Sequence, residues 1–519
     1  MSSLASVIKP LGSGYLLLFS RIGAGLVTYR LIYQYLGDNA GNIELGLYAL
    51  LWTFLGFGAL LDFGFAVTVQ KRVAQAEAGD SWLGINRCVS SISIVYAALA
   101  LALVSLAWLL PDRFLDLFAS VPRERYPDLR LGVSVFFTGM ALNFPLQIFP
   151  EILKGKQRIV LNNLLGLAGV FVNLIGVILA VRFDIGFGGL MLVTMGSLLL
   201  PPLCAGVIAK RLCPQLRISP SLFCWRELRR TLSFSLIVYI IMVSYMLMTQ
   251  TASLIAGMAI SMAAVATLNP GTRVAAYFAM LLRQLAQVLQ PVAARLYGQK
   301  NQGAVARLLL FGLRATVLLG LPLYLLLAFH MAPALRLLTG EESPSPEMLL
   351  CGQLLLLWTF SYTLTHTIFK QMGVMGGHER RLLWVGVVEA LLNIALSLGL
   401  ALSTGHVAGI ALGTLLPSLL LGWGLLWGWA ARECGLARRQ LFAHCSGRML
   451  PALLPGLGLL FLAHHYGLQT AQASLPALAL SASGSTLALA LGIWFLGLRP
   501  EEQHACRRLL TRTPLPNAP

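Results

Sequence analysis

Apolar runs of about twenty residues recur from one end of this chain to the other, and each is long enough to cross a bilayer as a helix. In hydrocarbon, a backbone without water must satisfy its own N–H and C=O groups, so runs of this length leave the α-helix as their conformation. The windows fall near residues 11–35, 44–68, 87–110, 130–152, 159–181 and 187–208. They continue near 233–260, 271–295, 306–330, 347–371, 382–403 and 407–430, with a last pair near 449–467 and 474–497. The pattern predicts an all-α polytopic membrane protein with about fourteen transmembrane helices. Composition points the same way: 57% of the 519 residues are hydrophobic and 11% charged, with a mean hydropathy of +0.77. Such a chain cannot be a soluble globule.

An internal echo divides the windows. Gln70 in VQKRVAQAEAGD and Gln290 in LQPVAARLYGQK lie 220 residues apart, as do Ala74 and Ala294. Asn173 in FVNLIGVILA and Asn393 in LLNIALSLGLA repeat that offset, as do Gly189 and Gly409. With a two-residue adjustment, KGKQR at 154–158 matches GGHER at 376–380. Matches at one offset predict two pseudo-symmetric six-helix lobes and an additional helix pair. The expected divisions are 1–209 for the N-terminal lobe, 210–231 for a basic cytoplasmic linker, 232–435 for the C-terminal lobe, and 436–519 for the last pair and a cytoplasmic tail.

Lysine and arginine collect in alternate loops, including Lys154–Arg158, Lys210–Arg230 and Arg432–Arg448. The positive-inside rule makes these faces cytoplasmic and puts both termini inside. The net charge of +18 then reflects this bias and attraction to anionic membrane lipids, which argues against a nucleic-acid partner. Six of the eight cysteines fall on the same side, so no disulfide framework is expected, and no metal-ligand spacing is present. The first apolar helix is too long for a cleavable signal peptide.

Polar residues inside apolar helices carry the functional information, because a charge at bilayer depth is costly unless it faces protein or water. The helix starting near Pro270 reaches Arg283 after about 13 residues, close to mid-depth. Arg283, Gln287 and Gln290 share one face, with Arg273 at the outer end. In the first helix Arg21 is again central, whereas Arg30 lies on the opposite side and reads as an interfacial snorkel. Asp62 in the second helix reads as a structural ion pair with Arg21 or as a cation-coupling group. Asn143 accompanies Pro145, Gln147 and Pro150, which predict a bend. The seventh helix offers Ser244, Tyr245, Thr249 and Gln250, able to bond sugar hydroxyls or to glue helices together. Glu389, with Asn393 one turn on and His366 and Lys370 in the preceding helix, reads as a Na+ or H+ coupling site or as the partner of an arginine.

The two sixes, the LLDFGFAVTVQKRVA segment, the KGKQR loop and the extra pair together resemble the polysaccharide flippases of the MOP superfamily, and more narrowly Wzx-type O-antigen and exopolysaccharide flippases. The resemblance implies a MATE-like pair of lobes, no enzymatic activity and no bound cofactor. It implies alternating-access transport of undecaprenyl-pyrophosphate-linked oligosaccharide from the inner to the outer leaflet of a bacterial cytoplasmic membrane. Arg21, Arg283 and Arg273 would bind the pyrophosphate, and Gln250, Gln287, Gln290 and Asn143 would line the sugar path. A polysaccharide polymerase and glycosyltransferases are the partners it suggests. Arginine suits that ligand because its planar fork pairs bidentately with phosphate. One alternative is a cation-coupled multidrug antiporter of the MATE family, in which an acid rather than Arg21 is expected in the first helix. The other is a membrane polymerase or glycosyltransferase of the same pathway. Against it, the longest outer loop, near 110–129, is short and lacks an active-site set.

Overall fold

The computed structural model describes residues 2–37, 42–58, 60, 65, 69–70, 72–73, 82–233, 236–298, 301–370, 378–470 and 472–503. Among them there are helices and no strands. Eleven helices are long and apolar enough to cross a membrane, or twelve when one bent pair is taken as a single span. The expected windows near 44–68 and 271–295 run partly through undescribed residues or side chains, so the expected total of about fourteen is not reached within this set.

Contacts divide the chain into two compact units. The first holds Met1–Asn269 with Leu338–Gly340 and Leu398–Val407. Its helices are α1 (Ser2–Gly37), α2 (Ile43–Gly58), α3 (Trp82–Leu109), α4 (Tyr126–Leu146), α5 (Ile148–Gly155), α6 (Ile159–Arg182), α7 (Gly186–Leu212), α8 (Trp225–Ser233) and α9 (Leu236–Ile255). Helix α4 packs on α7, and α6 packs on both α1 and α7. Close approach is built into α4: a Cβ on Gly132 would fall 2.3 Å from Phe187, and one on Gly139 would fall 2.5 Å from Met195. Small residues at such spacing let membrane helices gain dispersion contact where no hydrophobic force drives them together. Near Pro145, where a bend is expected, the helix is interrupted at Gln147, between the end of α4 at Leu146 and the start of α5 at Ile148, within one continuous span from Arg123 to Gly155. Proline removes the donor that would continue the helical ladder there.

The second unit holds Pro270–Leu337, Glu341–Ser397 and Ala408–Pro519. It contains most of α10 (Met262–Gly298), then α11 (Gln302–Phe329), α12 (Pro346–Tyr362), most of α13 (Glu379–Thr404), α14 (Val407–Leu421), α15 (Trp427–Glu433), α16 (Arg438–Ser446), α17 (Met449–His465) and α18 (Leu475–Gly492). Helices α16 and α17 form the bent pair, at 50°. Local chemistry starts these helices where expected: Asn301 Oδ1 accepts from Ala304 N at 3.0 Å, and Ser345 Oγ accepts from Met348 N at 3.2 Å ahead of Pro346. Each cap satisfies one orphan donor of the first turn. Helices α12 and α14 run on into π-helical turns, Thr363–Thr367 and Gly422–Leu426, which pack on one another.

Candidate functional site

The two π-helical turns frame a buried polar cluster in the second unit. A π turn inserts an extra residue and re-aims side chains, which is why such turns recur at functional sites. Here it points His366 at Glu389 of α13, with Nε2 and Oε2 2.9 Å apart and the two side chains 3% and 1% exposed. Tyr362 stacks on the imidazole with ring centroids 4.3 Å apart and planes within 7°. Lys370 donates to Tyr362 Oη at 3.3 Å. Trp423, from the second π turn, donates Nε1 to Ser361 Oγ at 2.9 Å. Gly422 is required beside this group, because a Cβ there would stand 2.5 Å from Thr365 Oγ1 and 2.9 Å from His366 Cε1.

Polar capacity in the cluster exceeds what the described residues satisfy. Glu389 Oε1, Asn393 Nδ2 and Ser418 Oγ are buried without a hydrogen-bond partner among them, and His366 Nε2 meets Glu389 at ion-pair distance outside hydrogen-bond alignment. Buried polar atoms are ordinarily paired, so orphans of this kind call for a physical explanation. A cavity of about 10 Å³ adjoins His366 and Glu389, which line it with Lys370 and Gly386 among others. That is room for about one water.

The cations expected to bind substrate are arranged differently. Arg21 lies within one turn of the middle of α1 and is exposed, against Gly166 of α6. It is the sixth residue of the apolar span Leu16–Gly37, and an exposed guanidinium inside such a span calls for water or protein rather than lipid. Helix α10 begins at Met262, not near Pro270, so Arg283 stands further along it than expected. It remains within one turn of the middle of this 37-residue helix, half-buried, with Nε donating to Ala279 O at 3.4 Å. Arg273 is half-buried nearly three turns earlier, and Arg30 is exposed near Gly340. Gln250 leans onto α2 where Gly56 leaves room, since a Cβ there would be 2.4 Å from Nε2. Asn143 Oδ1 accepts from Gln147 Nε2 at 3.0 Å. Asp62 and the side chains of Gln287 and Gln290 lie outside the described residues.

Sequence reading missed Arg314. It lies within α11, 4% exposed, with four of its five N–H groups bonded: it pairs with Glu502 through Nε and Nη2, and donates Nη2 to Gly497 O at 2.9 Å and Nη1 to His444 O at 3.2 Å. The segment FGLRATVLLG carried as strong a signal as that around Arg283; what it lacked was the partner 188 residues away. Arg314 therefore fastens the last helices to α11, and its charge is paired. The linker is tied to α3 at several points. Asn86 of α3 donates Nδ2 to Gln215 O at 3.0 Å and accepts from Arg217 N at 3.1 Å. Ser90 and Ser91 hold Ser219 N and Cys224 N, and Arg72 pairs with Glu227 at 3.2 Å.

Against solved structures this arrangement aligns from end to end. The lipid II flippase MurJ in an inward closed conformation superposes with a TM-score of 0.68 over 97% of this chain and 99% of that one, at 15% identity. The chain has the MurJ/MATE fold. An inward-facing MATE multidrug resistance transporter of the MOP superfamily matches at 0.59, covering 81% and 95% at 17% identity. The Vibrio cholerae MATE transporter VcmN in its bent form matches at 0.52, covering 85% and 99% at 17% identity. At such identity the MurJ/MATE likeness speaks for the fold, and with its apolar helices the chain is a multi-pass membrane protein. No family model and no curated protein matches the sequence.

Proposed function

We propose that this protein is a flippase that carries undecaprenyl-pyrophosphate-linked oligosaccharide from the inner to the outer leaflet of a bacterial cytoplasmic membrane, for O-antigen or exopolysaccharide biosynthesis. The observation that carries the reading is an exposed arginine, Arg21, at the middle of α1 in a chain whose whole length follows a lipid flippase fold. A permanently charged guanidinium there suits a diphosphate and repels a cationic drug. The MATE structures cover 81 to 85% of this chain, against 97% for MurJ, which favours a lipid-linked substrate over a drug. In this reading Arg21, Arg283 and Arg273 receive the pyrophosphate, Asn143 and Gln250 with Gln287 and Gln290 meet the sugars, and the termini are cytoplasmic. The lipid tail stays in the bilayer while the head crosses by alternating access. No bond is made or broken, so the protein is not an enzyme, and a polymerase and glycosyltransferases act before and after it.

Reconstituted flipping tests this. Arg21→Ala and Arg283→Ala are expected to lower transport of the lipid-linked oligosaccharide at least about tenfold, the loss of roughly one charge-assisted contact, at normal membrane expression. Arg30→Ala should be milder. Equal, full activity in all three variants sinks the central-cation model, and efflux of cationic drugs that survives the first two moves the protein to the antiporter class.

A further inference from the structure

We propose that His366 and Glu389 together bind the proton that couples this transporter to a pH gradient; the inference rests on the flippase reading for its cargo but on its own geometry for its site. Burial and proximity carry it. His366 Nε2 and Glu389 Oε2 stand 2.9 Å apart with both side chains buried, and Glu389 Oε1 has no hydrogen-bond partner among the described residues. Thr365 Oγ1 lies 2.8 Å from both Ser361 O and His366 Nδ1, and its one hydroxyl hydrogen serves either. An ionised carboxylate without full pairing is costly in such a site. A proton lowers that cost, either on the imidazole, giving imidazolium beside carboxylate, or on Glu389, giving a carboxylic acid beside imidazole. The proton belongs to the pair rather than to one residue.

The elements packed against the pair bring few other charges. The helix bearing His366 adds Tyr362, stacked on the ring, and Lys370, which lies within coulombic reach of Glu389. Helix α13 adds Glu389 alone on this face, and the π turn Gly422–Leu426 adds no titratable group. Arg314 on α11 is spent on Glu502. With Lys370 charged, the cluster holds one net positive charge with the proton and none without it. Release of the proton into the adjoining cavity leaves Lys370 as the counter-ion of Glu389, so no metal cation is needed to keep the carboxylate paired.

The two π turns supply the element that can read this change. Gly422 touches both Thr365 and His366, so a shift of the imidazole as it loses its proton presses directly on the second turn. A π turn can revert to α by passing its extra residue along the helix, which rotates everything beyond it. Proton release at the pair is thereby linked to the packing of the two π turns on one another.

Two measurements on the full-length protein separate this from the flippase reading. pH-difference infrared spectra of the purified protein in lipid are expected to show one carboxyl and imidazole titration in the wild type that is absent in both Glu389→Gln and His366→Gln. Should either variant not fold, Glu389→Asp keeps the acid and should shift that signal rather than erase it. In proteoliposomes carrying labelled undecaprenyl-pyrophosphate-linked oligosaccharide, a pH gradient should change the wild-type rate by up to about tenfold per unit, the limit for one proton per cycle. Glu389→Gln should remove that dependence. Identical spectra in all variants, or a rate driven by a sodium gradient and indifferent to pH, would overturn the proposal. No transport of the lipid under any gradient, with the titration intact, overturns the flippase reading while the proton site stands.

Discussion

Positions 169 and 389 correspond across the 220-residue echo, and the two units treat them in opposite ways. In the first, Gly169 is buried so tightly that a Cβ would stand 2.5 Å from Pro201 Cγ, and Asn173 nearby closes its amide onto Ser197 Oγ at 2.8 Å. In the second, the corresponding residue is Glu389, set against His366, while Asn393 and Ser418 are buried without partners among the described residues. One helical scaffold thus carries a sealed packing joint in one copy and an unsatisfied polar chamber in the other. Packing alone explains the first. The second carries a desolvation cost that a purely structural joint would have no reason to keep.

The comparison can be broken from either side. The largest effect is expected from Gly169→Glu, which forces a carboxylate without a partner into the sealed joint. Collision and uncompensated burial should cost several kcal/mol, read as loss of monodisperse protein or a collapse of Tm in detergent. Arg314→Ala comes next. It leaves the partly exposed Glu502 and two carbonyls without this partner, and a loss of about 1–3 kcal/mol is expected for the lost charge-assisted hydrogen bonds, whereas Arg314→Met should recover part of it.

Acid should weaken the same lock. Burial by itself would raise the Glu502 carboxyl, but hydrogen bonds from Arg314 and from Arg499 N hold it below its ordinary value. A depressed folded-state pKa contributes stability that is complete above the unfolded value near 4.3 and is lost as pH falls through the folded value. The Tm difference between wild type and Glu502→Gln should therefore start to shrink as pH falls below the unfolded value near 4.3 and vanish only below the depressed folded value. A difference that persists there would show that the contact acts by shape rather than charge. The smallest effect sharpens the comparison of the two asparagines: Asn173→Ala should cost about 1 kcal/mol for its lost hydrogen bond, and Asn393→Ala close to nothing. Equal costs would mean that Asn393 has a partner in the membrane after all.

How far the chain could be read in advance depended on the range of the interaction concerned. Arg21 and Glu389 stand out in any window because hydrocarbon tolerates charge so poorly, and the break at Gln147 follows from prolines within a few residues. Arg283 was found for the same reason, although its helix starts eight residues earlier than Pro270 suggested, since an apolar run does not show where a long helix leaves the membrane. Arg314 had an equal local signal and the opposite fate. Nothing near it in sequence announces Glu502, and only the folded chain shows its charge to be paired.

The sequence by itself determined that this is a helical, multi-pass, internally repeated protein with charges buried in apolar surroundings, because those properties follow from residue type and spacing against the bilayer's thickness. Tertiary structure decided which of those charges are spent and which are held ready. It placed His366 against Glu389 through two π turns and a glycine, and closed Arg314 with a residue from the far end of the chain. A buried charge must find its partner in space, and the distance along the chain does not say where that partner lies.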